Sequence, residues 1–222
     1  MAEQLTFDLP AGVSLTAGDF FVSSANTAAF VMVTNPDGWP ERKLVLTGPK
    51  GSGKSHLARI FAQEFAASIV AAADLSEEMQ HPDTPIVVED IEGLTPAGET
   101  VLFHLHNHLA QAKLPLLMTA QTPPGRWPIA LPDLASRMQA TTPTHIDDPD
   151  DELLKAVMMK LFADRQIAYP PDLPSYLAAR IERSFAAAAA VVAALDEAAL
   201  REKRKVNQRL ASQVLNADHP TY

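Results

Sequence analysis

The chain contains no cysteine, which removes disulfides, thiolate chemistry and cysteine zinc sites from consideration. It also lacks a long hydrophobic run: the most apolar stretch, 185–195, is too short and too alanine-rich to span a bilayer. The start, Met1-Ala2-Glu3-Gln4, has no basic segment followed by an apolar one, so a cytoplasmic location without a secretory signal is expected. Charge is sparse at 20% of residues, and cations are sparser, with 18 Lys and Arg against 27 Asp and Glu. The resulting net charge of −9 argues against a broad DNA-binding surface, which needs clustered Lys and Arg. What remains is 222 residues, 47% of them apolar, enough for one ordinary domain or two small ones with a real core.

Glycine is scarce too, with nine residues in all, yet three fall close together at 48, 51 and 53. They belong to Gly48-Pro49-Lys50-Gly51-Ser52-Gly53-Lys54-Ser55, preceded by the apolar run Leu44-Val45-Leu46. The pattern is G-x-x-x-x-G-K-S, a phosphate-binding loop between a strand and a helix. Glycines there permit backbone angles that a Cβ forbids, so successive N–H groups turn inward around phosphate oxygens. Lys54 would reach the β- and γ-phosphates, and the Ser55 hydroxyl would be a magnesium ligand. A helix over 55–66 adds the positive end of its dipole. The bland alternative is a ligand-free turn, which eight matching positions in a strand-to-helix setting disfavour.

Around this loop, short apolar runs alternate with helical patterns. Strands are expected at 43–47, 68–72, 86–88, 116–119 and 144–146, and helices at 26–33, 98–113 and 131–138. That alternation predicts an α/β fold with a parallel five-stranded sheet covered on both faces. After Asp147-Asp148-Pro149-Asp150-Asp151 the character changes: helices are expected over 151–164, 171–181, 184–200 and 207–216, a small appended helical bundle. The expected division is a peptide at 1–12, an α/β nucleotide-binding domain at 13–147 and a helical lid domain at 148–222.

Several constellations carry chemistry. Ile86-Val87-Val88-Glu89-Asp90 is a strand ending in two carboxylates, the arrangement that holds magnesium and orients a water. Arg137, in Leu131-Pro132-Asp133-Leu134-Ala135-Ser136-Arg137, is either a finger aimed at a neighbour's γ-phosphate or a surface cation paired with Asp133. Arg183 lies in the helical bundle, where it either closes over the nucleotide or sits on a solvated face. His104, His106 and His108 raise a zinc site, but 106 points away from the face shared by 104 and 108, and no third ligand is spaced for them. Gln4, Leu5, Phe7 and Leu9 put an amide and three apolar side chains on an extended segment. They suit a partner's groove, and equally a tail or a strand on the protein's own surface.

Taken in order, these motifs resemble a known family. Phe21-Val22 and Asn26, Gly48 to Leu57, Ile86 to Glu92, Leu102-Phe103-His104-Leu105-His106-Asn107, Leu117 to Pro124, Leu131 to Arg137 and Ile181-Glu182-Arg183-Ser184 look like the AAA+ module of the bacterial replication initiator DnaA without its C-terminal DNA-binding helices. More closely, the chain is similar to the DnaA-inactivating Hda proteins in their short alphaproteobacterial form. The resemblance implies an AAA+ P-loop NTPase fold with ATP or ADP and Mg2+ as cofactors. It implies a nucleotide site of Phe21, Val22, Asn26, Gly48, Pro49, Lys50, Gly51, Ser52, Gly53, Lys54, Ser55, His56 and Arg183. Magnesium would lie at Ser55, Glu89 and Asp90, Glu89 and Asp90 being also the catalytic acids, and Arg137 would be an arginine finger acting in trans. Gln4, Leu5, Phe7 and Leu9 match the peptide that holds the sliding clamp, the beta subunit of DNA polymerase III.

The implied function is negative control of replication initiation, with DnaA and the clamp as partners. Self-association is possible in such a module, and neither a membrane contact nor sequence-specific DNA binding is expected. Two departures weaken its own ATP turnover: Glu89 where DnaA usually has Asp, and neutral Gln121 where relatives often carry Asp. The rivals are an autonomous ATPase of the helicase-loader or DnaA type, and a nucleotide-dependent adaptor that does not need Arg137.

Overall fold

A computed structural model describes residues 20–217, so the expected clamp-binding residues Gln4, Leu5, Phe7 and Leu9 lie outside the described part. Strands β1 (Lys43–Thr47), β2 (Ser68–Ala71), β3 (Ile86–Glu89), β4 (Leu116–Ala120) and β5 (Pro143–His145) form one sheet in the order β2-β3-β4-β1-β5. Every pairing is parallel. The α/β expectation with five parallel strands therefore holds. Helices α1 (Thr27–Val33), α2 (Lys54–Phe65), α3 (Pro96–Ala112) and α4 (Pro132–Ala140) accompany the sheet, and α5 (Asp151–Asp164), α6 (Leu173–Ala178), α7 (Phe185–Glu202) and α8 (Gln208–Ala217) follow it.

The alternation of side chains along each strand divides the core in two. Leu44, Leu46, Val87 and Leu117 face α1 and α2, packing on Ala29, Val33, Leu57 and Phe61. Val45, Val88, Leu116 and Met118 face the other way, onto Leu102, Leu105 and Leu109 of α3 and Leu134 and Met138 of α4. Because both faces are covered, β1 is buried along its whole length, which is why such strands read as continuous apolar runs. At the edge, β2 is mostly exposed. A third core joins α5 to α8 through Leu154, Met158, Phe162, Leu177, Val192, Leu195 and Leu210.

Local chemistry sets the boundaries. Thr95 caps α3 by accepting from the Gly98 amide at 3.0 Å, with Pro96 at the first helical position. Asp150 and Ser184 cap α5 and α7 in the same way, accepting from Leu153 and Ala187. The sixth helix is shorter than expected: Pro174 occupies its first turn, and the Arg180 amide closes a turn on the Leu177 carbonyl. Strand β5 begins at Pro143, a residue earlier than expected, because an edge strand tolerates a missing N–H. Among the described residues no helix is long and apolar enough to cross a membrane.

Candidate functional site

The loop between β1 and α2 is built around its glycines. Gly51 and Gly53 take φ values of 83° and 96°, the left-handed region that costs an L side chain about 1–2 kcal/mol. At Gly48 the constraint is space: an added Cβ would lie 2.9 Å from Ser52 Oγ and 3.0 Å from the Ile146 carbonyl oxygen. The loop is thus pinned between its own serine and the residue after β5, whose amide donates to the Thr47 carbonyl at 2.9 Å.

Over this loop opens a cavity of about 490 Å³, lined by Lys50, Gly51, Gly53, Lys54, Ser55, His56, Asp90 and Gln121. Six of the nine expected loop residues therefore share one concavity with one of the two expected acids. Lys54 is buried, and its ammonium donates to the Gly48 and Pro49 carbonyls at 2.8 and 2.9 Å. Burial pulls its pKa below the usual lysine value, opposed by the charges of Asp90, Glu92 and Glu89. Among the described residues, Ser52 Oγ and Glu89 Oε1 are buried polar atoms without a partner. A hydroxyl free to donate and a carboxylate oxygen free to ligate, beside a left-handed, glycine-built loop and a buried ammonium, fit a phosphate and its metal ion. Ser55, Glu89 and Asp90 are the side chains that would hold that ion.

The two acids differ in setting. Asp90 sits at φ 54°, ψ 61°, just past the strand, with its amide donating to Thr119 Oγ1 at 3.1 Å. Glu89 belongs to β3 and turns one carboxylate oxygen inward. A third acid, not anticipated, organises the opposite wall: Glu92 Oε1 accepts from the Gln121 and Thr122 amides at 2.7 and 2.8 Å and from Thr122 Oγ1 at 3.1 Å. Glu92 thereby sets where Gln121 enters the cavity.

Of the expected base-pocket residues, Asn26 is buried and works on its own segment, donating to the Phe21 carbonyl at 2.8 Å and accepting from the Ser23 amide at 2.8 Å. Phe21 is 45% exposed, Val22 is half-buried, and neither lines the cavity over the loop. The aromatic that reaches the loop is Phe20, which the sequence reading missed. A Cβ on Gly53 would meet its ring edge at 3.0 Å; it stacks on Phe30 at 5.9 Å and meets His56 edge-on at 5.5 Å. The adjacent pair Phe20-Phe21 was the available signal, since neighbours in an extended segment point to opposite sides.

Two arginines lie away from the cavity lining. Arg183 Nε pairs with Asp151 Oδ1 at 2.9 Å across the helical bundle, although Phe185, two residues on, stands 3.4 Å from a Cβ placed on Gly51. Arg137 is exposed on α4, with its guanidinium carbon 5.2 Å from the centre of the Phe103 ring, and among the described residues it makes no ion pair, with Asp133 or any other acid. Its charge is felt by Lys43 and His106. Lys43 opens β1 and the phosphate loop follows Thr47, about 13 Å further along a strand of this length, so Arg137 stands toward the opposite end of the sheet from the loop.

The three candidate zinc histidines separate. His106 is buried, its pKa lowered to about 4 by burial and then by Lys43 and Arg137; His104 meets Phe103 edge-on; His108 turns to His81. Among the described residues no group of three or more potential ligands is assembled.

No protein-family model matches the chain. The solved structures decide the architecture: domain III of the Thermotoga maritima replication initiation protein DnaA superposes with a TM-score of 0.72 at 17% identity, covering 93% of this chain and 97% of that one. The chain has the DnaA domain III fold. AMPPCP-bound DnaA from Aquifex aeolicus superposes with a TM-score of 0.64 at 15% identity, over 85% of this chain and 68% of that one. In sequence, the chromosomal replication initiator protein DnaA of Cutibacterium acnes is 25% identical over 194 residues, covering 75% of this chain. The chain spans only 39% of that initiator's length. The DnaA domain III fold carries the phosphate loop, the two acids and the arginine of α4 on one parallel-sheet framework.

Proposed function

We propose that this protein is a nucleotide-bound AAA+ regulator that inactivates the DnaA initiator by promoting hydrolysis of DnaA's ATP. Nucleotide binding at residues 48–55 is supported by the glycine-built loop, the unpartnered Ser52 hydroxyl and the buried Lys54, and by the AMPPCP bound to a DnaA of the same fold. A bound nucleotide would supply a polyanion, with its Mg2+, that pairs with the Lys54 ammonium and accepts hydrogen bonds from the loop amides. Gly51, Gly53 and Lys54 would cradle the phosphates, Ser55, Glu89 and Asp90 would hold the metal ion, and the helical bundle acts as a lid through the start of α7.

The observation that carries the regulatory reading is Arg137: exposed, held over an aromatic ring, and displaced along the sheet from its own phosphate loop. An arginine so placed serves a neighbour's ATP rather than its own. Its planar fork spreads transition-state charge, and in other nucleotide hydrolases an arginine in trans is worth about 10³–10⁵ in rate. Residues 4–9 would tether the protein to the sliding clamp, raising its concentration beside newly replicated DNA.

The deciding assay is ATP hydrolysis by DnaA with and without this protein, with DNA-loaded clamp present or omitted. Stimulation that needs both is expected, together with its loss in Arg137→Ala while clamp binding persists. Equal stimulation by the variant removes the arginine from the mechanism. Steady ATP turnover by the isolated protein, accelerated by single-stranded DNA, would instead establish an autonomous ATPase.

A further inference from the structure

We propose that His81 and His108 form a binding site for a borderline-soft divalent cation of the Zn2+ class, independent of the nucleotide site. His108 lies near the end of α3, and His81 lies on the segment leading into β3. Their Nδ1 atoms face each other at 3.3 Å, with the rings nearly perpendicular at 80°. The second nitrogen of His108, Nε2, lies 3.0 Å from the Pro82 carbonyl oxygen. A carbonyl only accepts, so Nε2 carries the proton and Nδ1 presents its lone pair toward His81. A backbone carbonyl holding the far nitrogen is the usual outer support of a metal-ligating histidine.

The separation also fits. Two nitrogens each about 2.0–2.1 Å from a tetrahedral ion lie roughly 3.3–3.4 Å apart. A direct hydrogen bond between the two rings would be long at this distance. The surroundings favour a cation: residues 74–83 carry Asp74, Glu77, Glu78 and Asp83 and no Lys or Arg. Among the described residues no third His, Cys, Asp or Glu completes a protein-only set, so water fills the remaining positions and affinity is moderate. Imidazole nitrogen selects Zn2+, Ni2+ or Cu2+ over hard Mg2+. A bound ion would staple the segment before β3 to α3, and β3 carries Glu89.

The test uses the untagged full chain, stripped with chelator and held in excess Mg2+ so that the phosphate-loop acids do not compete. Calorimetric titration with ZnCl2 should give one saturable equivalent, and Co2+ should give the visible absorption of a tetrahedral complex. His81→Gln and His108→Gln should each weaken binding at least about tenfold, the cost of losing even an outer support. His104→Gln, on the same helix, should bind as the parent does. Absence of a saturable equivalent, or parental affinity in either the His81 or the His108 variant, overturns the site.

Discussion

Replacing Glu99 with alanine should loosen the start of α4, the helix that presents Arg137. Glu99 is only 7% exposed on α3, and its carboxylate accepts from the Ala130 amide at 3.0 and 3.1 Å and from the Leu131 amide at 2.7 Å. Leu131 is the residue before the first turn of α4 and caps it with no side-chain bond of its own, so Glu99 supplies from a neighbouring helix the acceptor that an Asp or Ser cap would provide. Ala130 is exposed, so its amide can turn to water and its loss costs about 0.5–1.5 kcal/mol. Leu131 is half-buried; its stranded amide, robbed of a charged acceptor, costs about 1.5–3 kcal/mol. Glu99→Ala should therefore destabilise by roughly 2–4.5 kcal/mol, a fall in Tm of about 4–18 °C for a chain this long. Glu99→Gln keeps a carbonyl acceptor and loses the charge, and should cost about 1 kcal/mol. Urea unfolding measures both. A Glu99→Ala protein within about 0.5 kcal/mol of the parent would mean that water replaces the carboxylate and α4 is anchored elsewhere.

Other perturbations are as direct. His106 is held neutral with a pKa of about 4, so the folded state binds fewer protons than the unfolded chain between that value and 6.5. Stability is complete above pH 6.5 and falls by up to about 3 kcal/mol as the pH drops to 4; His106→Phe should flatten that limb of a pH series of urea melts. Gly53→Ala forces a Cβ into φ 96° and against Phe20 at 3.0 Å, and should cost about 1–2 kcal/mol in stability and lower the affinity for a fluorescent ADP analogue. Arg183→Ala breaks an exposed pair with Asp151, worth at most about 1 kcal/mol; Tm should barely move while nucleotide affinity falls, and unchanged affinity would take Arg183 out of the lid's grip on the ligand.

The parallel sheet was legible because its signals are local and periodic. Each strand is a short apolar run, and β1 is met by glycines whose spacing has one good physical use. Boundaries slipped where proline chemistry was misjudged, at Pro143 and Pro174. What stayed hidden were single residues that act across the fold. Glu92 and Glu99 look like surface acids in the chain, yet each gathers backbone amides about thirty positions away. Phe20 was passed over for Phe21 because the direction of a side chain in an irregular segment has no signature. His108 was weighed against its own helix, whereas its partner, His81, comes from a loop 27 residues earlier.

The ammonium of Lys54, resting on two carbonyls of its own loop, makes occupancy a substitution. An incoming polyanion must win the lysine from oxygens already in place, so measured affinity is the difference between two sets of bonds. Trimming the lysine would therefore be felt twice, in a weaker grip on a polyanion and in a loop that loses two bonds of its own.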